Sequence, residues 1–112
     1  MASSLEFAEY VYGQLAHDQI THIGEISYRR MFGSFGIYMG GKFVGLICED
    51  QFFVKSTAVG WKILGTPTCA PPFDGAKDWF LIEDLEDDDL IARLLIATWE
   101  ELPFLKPKKS KK

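Results

Sequence analysis

Cysteine and histidine are scarce in this chain, with two of each in 112 residues. Cys48 and Cys69 lie far apart in sequence and make no C-x-x-C pair, which excludes a disulfide framework and a thiolate zinc module. His17 and His22 are five positions apart across a helix end. A helical metal pair needs i,i+4 spacing, so these histidines are read as surface or capping residues. Long apolar runs are also absent: no stretch approaches the ~20 residues that span a bilayer. The beginning, MASSLEFAEY, has no basic region and carries Glu6 and Glu9, unlike a secretory signal. The expectation is a soluble, cytoplasmic protein with reduced thiols and no membrane partner.

Basic residues are few outside the end of the chain. Five lysines fall in KPKKSKK, which leaves seven basic against 16 acidic residues, a charge of −9, on Met1–Leu105. Such a body repels a phosphate backbone, and only the basic end is suited to touch one. Length and a 47% apolar content indicate one globular domain. The expected organisation is a folded domain over 1–105 and a basic disordered tail over 106–112.

The order of elements is legible from periodicity. SSLEFAEYVYGQLAH opens with Ser3 or Ser4 as N-cap, with Glu6 at capping-box spacing from Ser3. Leu5, Ala8, Val11, Tyr12 and Leu15 share one helical face. From Ile26 the pattern alternates through Phe32. A glycine-punctuated step from Gly33 to Gly36 leads into GIYM, and Gly40-Gly41 signals a tight hairpin. KFVGLIC, a turn at Glu49-Asp50 and QFFVK continue an antiparallel meander whose apolar content suggests a sheet well covered by helices. Ser56 or Thr57 caps a short helix, TAVGWKIL, and WFLIE forms a further strand. A last helix presents Leu90, Ile91, Leu94, Leu95, Thr98 and Trp99, with Asp87, Asp88 and Asp89 set against its dipole. The expected fold is α+β, an antiparallel meander sheet of about five strands with N-terminal, short middle and C-terminal helices packed on it.

Candidate sites are weighed against this frame. GIYMGGKF falls one residue short of the phosphate-loop pattern G-x-x-x-x-G-K-[ST]. The residue after Lys42 is Phe43 and not a hydroxyl, and a strand follows instead of a helix, so the stretch is a hairpin. Cys69 in TPTCAPPF has no charged neighbour to lower its pKa. The run EDLEDDD lacks the glycine and alternation of a calcium loop. Arg29 and Arg30, adjacent in a strand, point to opposite faces. One is expected to be buried with a carboxylate partner, or else the pair joins Tyr28 or Tyr38 in a partner-binding surface. No catalytic, metal or cofactor-binding residue is assigned, and no cofactor is expected.

The run RRMFGSFGIYMGGKFVGLI resembles the signature of the TfoX (Sxy) N-terminal domain, the amino-terminal half of bacterial regulators of competence for DNA uptake. The matching positions are Arg29, Arg30, Met31, Phe32, Gly33 and Gly36, with Ser34 in place of a second glycine. The likeness extends over Leu5–Glu101, through the strand that ends at Lys55 and the Pro72-Phe73 step. It implies a small α+β regulatory module without catalytic residues, here a single-domain member lacking the C-terminal domain. The expected function is non-enzymatic: a protein-interaction module in transcriptional or competence-related regulation, with Arg29, Arg30, Phe35 and Tyr38 as the interaction surface. The partner is a protein of unknown identity, and an edge strand open to pairing makes a homodimer part of this expectation. The alternative is a weak, non-specific nucleic-acid accessory protein that acts through Lys106, Lys108, Lys109, Lys111 and Lys112.

Overall fold

The computed structural model describes residues 4–16, 18–31 and 33–102. The chain runs α1 (Leu5–Leu15), α2 (Asp18–Thr21), β1 (Ile26–Met31), β2 (Ser34–Met39), β3 (Lys42–Cys48) and β4 (Gln51–Val54). It continues through α3 (Ala58–Leu64), β5 (Cys69–Ala70), β6 (Trp79–Ile82) and α4 (Asp88–Glu101). One sheet has the strand order β1-β2-β3-β4-β6-β5, antiparallel throughout. This is the expected α+β architecture, with one strand more than the sequence suggests. The extra one is the short β5, in the proline-rich segment that carries no alternating pattern. A four-residue helix, α2, also occupies part of the connection between α1 and β1.

Three tight turns build the meander, each for a local reason. Gly40 and Gly41 both have positive φ, 52° and 85°, as a two-residue hairpin requires. Glu49 and Asp50 do the same at 52° and 57° without glycine. There the Asp50 carboxylate accepts the Ser4 N–H at 2.8 Å, which ties the turn to the start of α1. The β1–β2 turn is tighter than expected: Met31 pairs with Ser34, and Gly33 takes the positive φ of 82°. Gly36 therefore lies inside β2 and not in the bend.

Helix ends use polar groups as the sequence suggests. The Ser4 hydroxyl accepts the Phe7 N–H at 3.1 Å, so the cap is Ser4 and not Ser3. Thr57 caps α3 through the Gly60 N–H, and the Asp87 carboxylate caps α4 through the Leu90 N–H. Both ends of the Glu101 carboxylate, at the last turn of α4, accept N–H groups at the start of α3, from Ala58 and Val59.

The main core lies between the sheet and the helices. Ala8, Val11 and Leu15 of α1 and Ile91, Leu94 and Leu95 of α4 pack on Phe35, Ile37, Met39, Ile47, Phe52, Val54 and Phe80. A second apolar cluster, Leu46, Cys48 and Phe53 with Met31, Phe43, Ala70, Trp79 and Leu81, contains no helical residue. Among the described residues, helices therefore cover one face of the sheet, where the sequence suggests a sheet well covered by helices without saying on which side. Both faces are apolar in sequence, so composition alone does not distinguish the covered one. The lysine-rich segment 106–112 lies outside the described residues.

Candidate binding groove on the open sheet face

Strict alternation along β3 would put Phe43, Gly45 and Ile47 on one face and Val44, Leu46 and Cys48 on the other. The β2–β3 register shifts instead: Ile37 pairs with Gly45 but Tyr38 pairs with Phe43. One extra residue, Val44, is inserted into β3 as a β-bulge. Val44 then joins the helix-covered core. Gly45 faces the same side, where a Cβ would lie 2.9 Å from the Phe52 ring. Phe43 is turned onto the open face beside Leu46 and Cys48. The bulge is the local event that assembles the groove.

The groove is a half-open hollow of about 440 Å³, its floor and walls formed by Met31, Ser34, Phe43, Leu46, Cys48, Phe73 and Trp79. Gly36 keeps the floor low: a Cβ there would come within 2.8 Å of the Met31 sulfur and 3.1 Å of the Phe43 ring. Phe43 and Trp79 meet edge to face with centroids 5.8 Å apart, and Tyr38 lies against Phe43 at 5.2 Å. Lys55 follows β4 on this face. Its ammonium lies 4.9 Å from the centroid of Phe43 and 5.9 Å from that of Trp79, so the cation meets two ring faces. Desolvation by this setting pushes the Lys55 amine below the ordinary lysine value of 10.5. The Ser34 hydroxyl and the Cys48 thiol are 3.0 Å apart and share a hydrogen bond on the groove wall.

The residues singled out from sequence divide between the two faces. Arg29 is exposed on the open side, its guanidinium 5.9 Å from the Tyr38 centroid. Arg30 is exposed too and lies 4.8 Å from the centroid of Phe35. Neither arginine is buried, contrary to the expectation of an internal ion pair. β1 is an edge strand, and Arg30 lays its guanidinium against the Phe35 ring while staying exposed. Phe35 itself is 2% exposed and belongs to the core, so it is not a surface anchor. Tyr38 is half-buried on the open face, Met31 lines the groove, and Phe32 lies outside the described residues.

Lys42, the lysine of the near-phosphate loop, is 6% exposed and directed at α4. Its ammonium donates to the Trp99 carbonyl at 2.5 Å and sits 4.3 Å from the indole centroid. It satisfies a carbonyl of the last helical turn and is not available to cradle a phosphate. Both cysteines are free thiols, with Cys48 buried and Cys69 half-buried. Among the described residues, no group of three histidine, cysteine or acidic side chains is gathered as a metal site would need. His22 is exposed, and His17 lies outside the described residues. No helix among the described residues is long and apolar enough to cross a membrane.

Sequence reasoning found Tyr38 and the Arg29–Gly36 motif but missed Phe43, Leu46, Trp79 and Lys55 as one surface. The signal that brings them together is the bulge, which alternation does not announce.

Comparison with known proteins agrees with this architecture. The family model described as the TfoX N-terminal domain matches residues 18–102. A Spirochaeta aurantia protein named "Uncharacterized 12.7 kDa protein in trpE 5'region" is 31% identical over 112 residues, covering 99% of this chain and 93% of that protein. The matched span takes in every strand and α4, together with the Arg29–Gly36 motif and the bulged hairpin that follows it. The chain belongs to the TfoX N-terminal domain family.

Proposed function

We propose that this domain is a non-catalytic regulatory module, similar in role to the N-terminal domain of competence regulators, that engages a protein partner through the open face of its sheet. The observation that carries the reading is the second apolar cluster, which lies on the sheet face away from the helices and is rimmed by Arg29, Tyr38, Lys55 and Phe73. Exposed aromatic and arginine side chains around an apolar centre are the residues that dominate binding energy at protein interfaces. Phe73, 56% exposed, stands at the edge of this surface. Family membership supports the same role, since the fold is shared with a regulatory domain.

The test compares two surfaces of one bait. Full-length protein, the open-face double variant Arg29→Glu/Phe73→Ser, and the helix-face variant Trp61→Ser are used to capture partners from host lysate, each with and without nuclease. A protein retained by the parent and by Trp61→Ser, but lost at least tenfold with the double variant, is the expected result. Loss with Trp61→Ser alone would place the partner on α3 and reject the open face. Retention that disappears with nuclease in all baits would favour contact through nucleic acid instead.

A further inference from the structure

The groove is more than part of a flat contact surface: its shape and the Lys55 cation against two of its rings select a small ligand. We infer that it binds a small amphipathic carboxylate, with the apolar body on Phe43, Leu46 and Trp79 and the anionic head at Lys55. The hollow of about 440 Å³ falls within the range of small-molecule sites, about 300–1,000 Å³. Its lining is apolar except for the Ser34–Cys48 pair, so the body of the ligand must be apolar as well. Charge then distinguishes the two ends. Lys55 projects beside Phe43 and Trp79, whereas the neighbouring hollow across Phe73 carries Glu49 and Asp74. An anionic head is drawn to the first end and repelled from the second.

Among the described residues the Lys55 ammonium meets ring faces and no carboxylate. A partly desolvated ammonium of that kind gains most from an incoming anion, because the apolar walls exclude the water that would weaken the pair. The lowered pKa of the amine is the same desolvation seen from the proton's side. Arg29, lying on the Tyr38 ring along the same rim, adds positive potential at that end. This inference does not rest on a protein partner: the ligand is small, and purified protein alone suffices to test it.

Decanoate, decanol and decyltrimethylammonium are titrated into the full-length protein by calorimetry, with backbone amide shifts recorded in parallel. Decanoate is expected to saturate in the micromolar-to-millimolar range and to move amides of β2, β3 and β6. In Lys55→Met, whose fold is checked by the same amide spectrum, decanoate should weaken about tenfold while decanol is unchanged. No saturation by decanoate up to millimolar concentration would overturn the inference. So would equal affinity in Lys55→Met, tighter binding of the quaternary amine, or shifts confined to the helix-covered face.

Discussion

Among the described residues two lysines, Lys42 and Lys55, end on aromatic rings, and their surroundings give them opposite tasks. Lys42 is held between the Trp99 carbonyl and the indole ring, where it links β3 to the end of α4. Lys55 lies over Phe43 and Trp79, two rings that line the open groove, and is half-buried. Burial lowers the Lys55 pKa, so its folded value is below the 10.5 of an unhindered lysine. Between those two values the unfolded chain holds more protons at this site than the folded one, and stability rises with pH across that window. The desolvation penalty is present in full below the folded pKa and is gone above 10.5. Two measurements follow at this scale. Urea midpoints of the parent should rise relative to those of Lys55→Met as pH climbs through the window. At mildly alkaline pH, an amine-acylating reagent should modify Lys55 ahead of the exposed Lys62 and Lys77. Equal labelling rates would contradict a desolvated amine.

At the scale of the element, α3 shows how close packing overrides intrinsic preference. Gly60 sits in the middle of this short helix, where alanine is favoured over glycine by about 1 kcal/mol. A Cβ at this position would lie 2.7 Å from the Phe80 ring, 2.7 Å from the capping Thr57 hydroxyl and 3.0 Å from a Leu94 methyl. The helix approaches the sheet and α4 so closely because the glycine has no side chain. Gly60→Ala should therefore destabilise the protein by roughly 1–3 kcal/mol, despite the better helix former. Thermal denaturation decides the sign, and a higher melting temperature would show that α3 can move away from β6 at little cost. The short middle helix was legible from its capping residue. The distance of its approach was not, because that depends on Phe80 and Leu94, which are remote in sequence.

On the scale of the whole molecule the decisive feature is asymmetry between the sheet faces. Trp79 and Phe80 are neighbours in β6 and point to opposite sides. Phe80 is fully buried under the helices, whereas Trp79 is half-buried on the open face. Phe80→Ala should cost about 3–5 kcal/mol, as a cavity in a sealed core does. Trp79→Ala should cost only roughly 1–2 kcal/mol, because part of its apolar area is already in water. Equilibrium unfolding of the two variants checks this, and equal losses would mean that the second face is covered in solution. Both functional readings proposed above depend on this apolar face.

The local pattern of the chain was sufficient for the Gly40-Gly41 and Glu49-Asp50 turns, the helix faces and the order of the longer elements, since each follows from a few neighbouring residues. It was also sufficient for the family, through the Arg29–Gly36 motif. The lysine after Gly41 could be excluded from phosphate binding on sequence grounds, because Phe43 and a strand follow it. Tertiary structure alone decided which side of the sheet the helices cover, and it moved Phe35 from the surface to the core. It also left Arg30 exposed on an edge strand, against the Phe35 ring. Above all, it decided the groove. Alternation specifies a parity along each strand, but a bulge at Val44 reverses that parity at one point, and only the pairing with β2 reveals it. Phe43 on β3, Lys55 just after β4 and Trp79 on β6 meet because the register of the sheet, set by contacts far apart in the chain, brings them together.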